Sequence, residues 1–452
     1  MDMKAAFHTL GCKVNQYETQ AMTEQFMKEG FRIVSENDIA DCYIINTCTV
    51  TNLADRKSRQ FIRKARRMNP DAVIAVTGCY SQVKPEDLWA MPEVDIVTGN
   101  GDKPHLIDLV REALDRKSAG EDSRMYKVLP YEELCEYTDR GIIMSMEGRT
   151  RAFIKIQEGC NRFCAYCMIP FARGKVRSRD PEEIIEEAEA LIRRGFKEIV
   201  LTGINTALYG TEEGFREKFS VSEYGIESII KRLNSLEGDF RIRLSSLEPT
   251  VVNAEYVKRL MKYHKLCPHL HLSIQSGSDR IIRAMNRHYT REDYLDIVKV
   301  LRDHDPGYGV TTDIIVGFPG ESEEDFEDSL RMVDEAQFLK VHVFKYSKRK
   351  GTKAESMKDQ VPGEVKNQRS DRLMEKGENE ARRFFIHEKG RRRRVLFEEV
   401  EDGRLTGFTE NYIRVHCEIP EGCSGEKLLN EFRTVVMDEP YSDGMTAEII
   451  DY

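Results

Sequence analysis

The sequence predicts an α/β chain of several domains: an N-terminal α/β layer, a partial (β/α)6 barrel, and a small antiparallel β-barrel at the C-terminus. Three observations predict it. Strand-like and helix-like runs alternate through the first 100 residues, resume from Phe153, and give way over the last 60 to short strands separated by Gly, Asp and Pro turns. At 452 residues the chain can form about three cores, at roughly 150 residues each.

The first alternation reads "AAFHTLG", a helix over 16–29 closed by Gly30, "CYIINT", a helix over 52–68, "AVIAVTG" and "VDIVTG". Strand followed by helix implies a mostly parallel sheet, and this first domain is expected over 1–114. Residues 115–145 are charged and without periodicity, which suits a connector. The core expected over 146–376 holds "FIKIQEG", "EIVLTG", "RIRLSS", "HLHLSIQ", "VTTDIIVGF" and "KVHVFKYS", with helices between them. Six strand-helix units are too few for an eight-unit barrel, so an open barrel is expected, with its site at the carboxyl edge of the strands. A charged helical segment near 364–388 leads into 379–452, where "RVLFEEV", "RLTGFTE", "YIRVHCEI", "FRTVVMD" and "MTAEIID" suggest a small barrel of a kind often used on nucleic acid.

Apolar residues make up 40% and charged residues 33%, and no window approaches the roughly 18–20 apolar residues of a membrane span. The start "MDMKAAFHTL" has no basic region followed by an apolar one, so no secretory signal is expected. The expectation is a cytoplasmic protein with no membrane partner. In a reducing compartment its eleven cysteines are better read as metal ligands or buried thiols than as disulfides.

The net charge of −9 hides two basic runs. Arg56, Lys57, Arg59, Arg63, Lys64, Arg66 and Arg67 crowd one predicted helix, and Arg391, Arg392, Arg393 and Arg394 are consecutive. One such run is ordinarily a solvated face; two in separate regions point towards a polyanion.

The most specific signal is "EGCNRFCAYCMIP", in which Cys160, Cys164 and Cys167 form CxxxCxxC after a predicted strand. Three thiolates so spaced can hold three corners of a [4Fe–4S] cube and leave one iron open. Structural zinc would need a fourth nearby ligand, and none is evident; buried thiols are the other alternative. Cys12, Cys48 and Cys79 each follow a different predicted strand of the first domain, and carboxyl ends of parallel strands share one edge. A lone cysteine is commonly a small core residue. Three at equivalent places, two of them after Gly11 and Gly78, point instead to a second cluster site. Cys42, Cys135, Cys267, Cys417 and Cys423 fit no ligand pattern. His269 and His271 share one side of a strand, where packing or hydrogen bonding is the safer expectation over metal ligation. "GFPGESEED" lacks the ending of a phosphate loop, and Ser322 with Asp325 reads as a helix cap.

CxxxCxxC with Tyr166 before its last cysteine resembles the radical S-adenosylmethionine superfamily. Adding the Cys12, Cys48 and Cys79 set, the C-terminal barrel, "HLHLSIQSGSDRIIRAMNRHYTRE" and "TTDIIVGFPGESEEDF", nearly the whole chain resembles the methylthiotransferase family of that superfamily, whose C-terminal barrel is called TRAM. The resemblance implies two [4Fe–4S] clusters and S-adenosyl-L-methionine. It implies catalysis through the clusters of Cys160, Cys164 and Cys167 and of Cys12, Cys48 and Cys79. Tyr166, Thr202, Gly203, Asn205, Ser245, Glu248, Gln275 and Gly317 would cradle S-adenosylmethionine. One S-adenosylmethionine would methylate sulfur at the second cluster, and another would yield the 5′-deoxyadenosyl radical that activates the substrate carbon. An electron donor and a sulfur source are implied as partners.

The family's branches act on isopentenyladenosine of tRNA, on threonylcarbamoyladenosine of tRNA, or on an aspartate of a ribosomal protein. "GCKVNQYET" resembles the threonylcarbamoyladenosine branch, and the basic runs agree with a tRNA anticodon loop as substrate. The modified base would be splayed out to be reached. The alternatives are the same chemistry on another of these substrates, or a non-catalytic RNA-binding iron–sulfur protein.

Overall fold

The computed structural model describes residues 3–49, 51–135, 137 and 150–451. The end of the expected connector and the first residues of the expected core, 138–149, lie outside these. The chain divides into two compact units, one of residues 1–144, 155–183 and 347–355, the other of 145–154, 184–346 and 356–452.

The first unit holds a six-stranded parallel sheet built from β1 (Lys4–Thr9), β2 (Arg32–Val34), β3 (Cys42–Thr47), β4 (Val73–Gly78), β5 (Ile96–Thr98) and β6 (Met125–Lys127) in the order β2-β1-β3-β4-β5-β6. β3 and β4 are buried along their whole length, as expected of parallel strands covered on both faces. Alternation along them feeds two cores. Tyr43, Ile45, Ile74 and Val76 pack with Phe61 and Ile62 of α2 (Asn52–Met68). Ile44, Val73 and Ala75 pack with Met22 and Phe26 of α1 (Lys13–Lys28) and with Leu106 and Val110 of a helix, Leu106–Ser118. Thr51 caps α2 by accepting the Ala54 N–H at 3.2 Å. Within the expected connector, that helix runs to Ser118 and β6 extends the sheet edge. Three residues are too few to show a period in sequence.

The same unit holds the end of β7 (Arg151–Glu158), paired antiparallel with β8 (Arg177–Ser178). In the second unit β9 (Glu198–Gly203) pairs parallel with β10 (Arg241–Leu244), and β11 (His269–His271), β12 (Gly309–Val316) and β13 (Lys340–Lys345) form a parallel sheet. Parallel bridges Ile242↔Leu266 and Leu247↔Leu272 join the β10 and β11 segments. The six predicted strands are therefore present, and the helix Glu323–Ala336 opens with the Ser322–Asp325 capping box.

Helix Gly363–Glu388 leads into a closed barrel of β14 (Arg392–Glu401), β15 (Arg404–Thr409), β16 (Arg414–Glu418), β17 (Phe432–Tyr441) and β18 (Gly444–Ile449), ordered β14-β15-β16-β18-β17. Four of its pairings are antiparallel, and β16 with β18 is parallel. A ring of five strands cannot alternate direction all the way round, so one like-directed pair is unavoidable.

Glu198 joins this barrel to the β9–β10 sheet. Fully buried, it accepts from Arg243 Nε at 2.7 Å and Arg241 Nε at 2.5 Å, and the far ends of these arginines donate to the carbonyls of Thr409 and Phe408. Burial opposes its charge, but the two guanidiniums hold the carboxyl well below the usual carboxylate range. Glu198→Ala would leave two buried guanidiniums without their carboxylate. It is expected to lower stability by about 3–5 kcal/mol, read from the denaturant midpoint of this unit; a loss under about 1 kcal/mol would mean that the pair is effectively solvated.

Candidate functional site

In the first unit the three isolated cysteines lie where their strands end. Cys12 is the N-cap residue of α1, Cys48 directly follows β3, and Cys79 opens α3 (Cys79–Val83) directly after β4. Gly11 has φ +111°, and a Cβ there would lie 2.9 Å from Cys48 Cβ and 3.0 Å from its sulfur. Gly78 has φ +99°, and a Cβ would lie 2.5 Å from the Thr47 carbonyl oxygen. Both glycines are needed twice over, for a backbone that L-residues avoid and for the close approach of neighbouring cysteine loops. Cys48 and Cys79 are buried, whereas Cys12 has surface open to solvent. Protein packed around its sulfur still raises the Cys12 thiol above its ordinary value; Arg173 opposes this and Cys79 adds to it, so these groups share one neighbourhood.

The CxxxCxxC loop belongs to the same unit. Gly159, at φ +72°, turns the chain out of β7 where a Cβ would collide with the Lys175 carbonyl. Cys160 N–H donates to Gly174 O at 3.0 Å, Cys167 N–H to Cys164 O at 2.9 Å, and Ile169 N–H to Cys167 Sγ at 3.4 Å. After α4 (Pro85–Trp89) and α5 (Leu106–Ser118), the short helix that closes this loop is α6 (Ile169–Arg173). Cys164 is buried, and Cys160, Cys167 and Tyr166 are partly exposed.

Arg173 at the end of α6 connects the two cysteine sets. Its side chain is fully buried. Nε donates to Cys79 Sγ at 3.1 Å and Nη2 to Asn15 Oδ1 at 2.5 Å, while Nη1 and Nη2 bind the Glu18 carboxylate and Nη1 also reaches Glu158 at 3.2 Å. Lys103 also binds Glu18, and Lys155 binds it at 2.6 Å and pairs with Glu158. Asn15 spends its amide on Leu10 O and Thr47 O, which anchors the Cys12 loop to the end of β3. Burial opposes every charge here. The surrounding cations nevertheless hold Glu18 and Glu158 below the ordinary carboxylate value, and Cys79, Glu158 and Glu18 hold Arg173 above its own. Sequence reasoning missed this network; its signals were Asn15 and Glu18 in "KVNQYET" and the arginine of "FARG".

In the second unit the expected cofactor-binding residues fall at strand ends. Thr202 and Gly203 end β9, Ser245 follows β10, and Gly317 follows β12. Asn205 donates to Glu248 at 3.1 Å, whose other oxygen accepts from Thr250 at 2.7 Å. Gln275 sits at φ +69°, unusual for a residue with a side chain, and Gly317 at φ +72° donates its N–H to Glu321. Among the described residues, none hydrogen-bonds the buried Ser245 Oγ. His269 and His271 are taken up by hydrogen bonds to Thr311, and His271 also meets Asp313 at 3.1 Å. Cys267 and Cys417 are core thiols that burial pushes up to about 11 and about 12.

The basic runs divide. Arg56, Lys57, Arg63 and Arg67 are exposed, but Arg66 ties Asp95 at 2.6 Å, Arg59 binds the Tyr80 hydroxyl at 2.6 Å, and Lys64 holds Asn37 at 2.6 Å. In the second run Arg393 is buried between Glu388 and Glu410, Arg391 faces Asp305 and Glu388, and Arg394 binds Asp239 and stacks on Phe432. Much of the charge read as a polyanion surface is thus used inside the fold.

The donors fit the implied groups. None of the eleven cysteines is disulfide-bonded, and each trio supplies soft thiolate ligands suited to iron–sulfur clusters. Among the described residues no three His, Cys, Asp or Glu side chains gather tightly enough to share one metal ion; a cube of four irons keeps its ligands further apart than one ion does. The unpartnered Ser245 hydroxyl fits a polar ligand.

Comparison with known proteins gives a consistent picture. The sequence model of the radical SAM superfamily matches residues 154–333, and that of the uncharacterized protein family UPF0004 matches residues 4–99. The chain is 41% identical to the threonylcarbamoyladenosine tRNA methylthiotransferase MtaB of Bacillus subtilis, over 99% of this chain and 97% of that one. It is 40% identical to the protein of that name in Aquifex aeolicus, over 91% and 96%, and 34% identical to the tRNA-2-methylthio-N(6)-dimethylallyladenosine synthase of Clostridium novyi, over 98% and 95%. Among solved structures, the radical S-adenosylmethionine methyltransferase TsrM of Kitasatospora setae is similar in fold, with a TM-score of 0.58 at 15% identity over 78% of this chain and 77% of that one.

Two outcomes follow from this geometry. Gly78→Ala should displace the Cys79 loop and cost the protein the second cluster expected at Cys12, Cys48 and Cys79, read as a fall of about half in bound iron with a lower melting temperature; full iron loading would refute the need for that approach. Glu18 and Glu158 have folded pKa values below their unfolded ones, so their stabilisation is full above about pH 4.3 and is lost as pH falls through the lower folded values. The melting temperature of this unit should therefore hold between pH 7 and 5 and drop below about pH 4, and Glu18→Gln should flatten that drop.

Proposed function

The chain belongs to the radical S-adenosylmethionine tRNA methylthiotransferase family, and we propose that it adds a methylthio group to C2 of N6-threonylcarbamoyladenosine at position 37 of tRNA. Near-full-length identity of 41% to a relative with that activity in its name carries the reading. The two cysteine trios supply the means. Cys160, Cys164 and Cys167 would hold the cluster that binds S-adenosylmethionine, and Cys12, Cys48 and Cys79 the auxiliary cluster. When bound, these clusters and S-adenosylmethionine supply the hydrogen abstraction, methyl group and sulfur chemistry that acid–base side chains cannot.

The chain's own residues then have positioning roles. Gly78 and Gly159 let cysteine-bearing loops turn against neighbouring backbone, and Gly11 lets its loop turn against the Cys48 side chain. Asn15 and Arg173 fix those loops to one another. Tyr166, Thr202, Gly203, Asn205, Ser245, Glu248, Gln275 and Gly317 are the proposed S-adenosylmethionine contacts, with Glu248 held by Asn205 and Thr250 so that its carboxylate is oriented before any ligand arrives. Exposed Arg56, Lys57, Arg63, Arg67 and Arg392 remain the best candidates for phosphate contact. The functional division would be 1–114 for the auxiliary cluster, 146–376 for the radical core and 379–452 for RNA. An electron donor and a sulfur source complete the partners. Among the described residues no helix is long and apolar enough to cross a membrane, and we place the enzyme in the cytoplasm with its tRNA.

Nucleoside mass spectrometry tests the substrate: tRNA from cells lacking this protein should lose 2-methylthio-N6-threonylcarbamoyladenosine and keep the isopentenyl counterpart. Loss of the isopentenyl product instead would assign the chain to the other tRNA branch. Cys12→Ala should abolish methylthiolation by at least 100-fold while leaving S-adenosylmethionine cleavage; retained methylthiolation would remove Cys12 from the auxiliary site.

A further inference from the structure

Five ionisable side chains form one buried cluster in the first unit: Glu18, Lys103, Lys155, Glu158 and Arg173, each no more than 5% exposed. Two carboxylates face three basic groups; burial pushes Lys103 below its ordinary value, and while it keeps its proton one positive charge is in excess. Such an imbalance is costly unless an anion meets it. The guanidinium supplies the direction: having bound both carboxylates and Asn15, Arg173 turns Nε onto Cys79 Sγ at 3.1 Å. A cysteine that ligates a cluster is a thiolate, so the surplus charge and the N–H both point at an anionic sulfur.

We propose that Arg173 is a positioning residue for the auxiliary cluster, setting the cluster's reduction potential through the N–H···S bond to Cys79 and the net charge behind it. The inference rests on the reading of Cys79 as a cluster ligand. Hydrogen bonds to ligand sulfur and nearby positive charge favour the reduced, more negative form of an iron–sulfur cluster and raise its potential. Because Arg173 lies six residues after Cys167, the loop that carries one cysteine trio also adjusts the electronics of the other. Lys103 and Lys155 would act in the same sense through Glu18, which they share with Arg173.

The test is an EPR-monitored redox titration of the full-length, anaerobically reconstituted protein with dithionite, the two clusters being told apart in two backgrounds, Cys160→Ala/Cys164→Ala/Cys167→Ala to read the auxiliary cluster alone and Cys12→Ala/Cys48→Ala/Cys79→Ala to read the other. Arg173→Lys, which cannot span both carboxylates and the sulfur, should lower the auxiliary potential by at least a tenfold shift in the one-electron equilibrium, about 59 mV. Glu18→Gln removes a negative charge and should raise it. The other cluster's potential should stay in place in both variants. Unmoved auxiliary potentials at full iron content, or shifts of the same sign in both variants, would overturn the proposal. If Arg173→Lys fails to take up its iron, the sign given by Glu18→Gln decides. Cys79→Ala separates the two levels of argument: retention of both clusters in that variant would remove the ligand reading itself, whereas loss of one cluster leaves the potentials to judge Arg173.

Discussion

A parallel sheet delivers all of its strand ends to one edge, and the first unit depends on that constraint. β1, β3 and β4 are adjacent and in register, with Thr9 opposite Asn46 and Thr47 opposite Gly78. The residues that follow them must therefore emerge side by side. Cysteines separated by more than 30 residues in sequence become neighbours with no device beyond the ladder itself. What the ladder does not provide is room, and glycine supplies that: at Gly11 and Gly78 any side chain would enter space already taken by Cys48 or by the Thr47 backbone.

Crowding strand ends has an electrostatic cost, and the buried charges show how it is met. Isolated, each of Glu18, Lys103, Lys155, Glu158 and Arg173 would be prohibitively expensive to bury. Together the two carboxylates offset two of the three positive charges, and their hydrogen bonds leave little choice of arrangement. The Glu198 centre of the second unit follows the same rule with two arginines and one carboxylate. Its excess charge is met differently, by backbone carbonyls of the barrel strand β15. Carbonyl dipoles answer the surplus at one centre; at the other a thiol sulfur does.

Most of the architecture could be read from the sequence because its strands are long enough to show their character. The buried β3 and β4 announce themselves as unbroken apolar runs, and the five barrel strands as evenly spaced short ones. The cysteine sets were legible for the same reason, since each follows a recognisable strand. β2 and β6, at three residues each, carry no period. The ion network was not legible at all: its members come from residues 18, 103, 155, 158 and 173, and a lone charged residue on a helix or strand reads as solvent-facing until its partners are known. The basic runs were misleading in the opposite direction. Arg66 and Arg393 look like surface charge in sequence and are bound to Asp95 and Glu388 in the structure.

This reassigns part of the information in "GCKVNQYET". Read alone, the stretch distinguishes one family branch from another. In the structure two of its residues, Asn15 and Glu18, hold Arg173 rather than facing outward, and Lys103 and Lys155 converge on the same carboxylate. Residues that serve the loop geometry and the charge around Cys79 are constrained whatever nucleoside is bound. A signature drawn from such a stretch mixes two physical demands, and only side chains outside the network are free to respond to the substrate. At the start of α1 Lys13 is exposed and its neighbour Val14 is buried, so Lys13 is the position placed to meet a ligand, while Asn15 and Glu18 serve the loop geometry and the charge around Cys79.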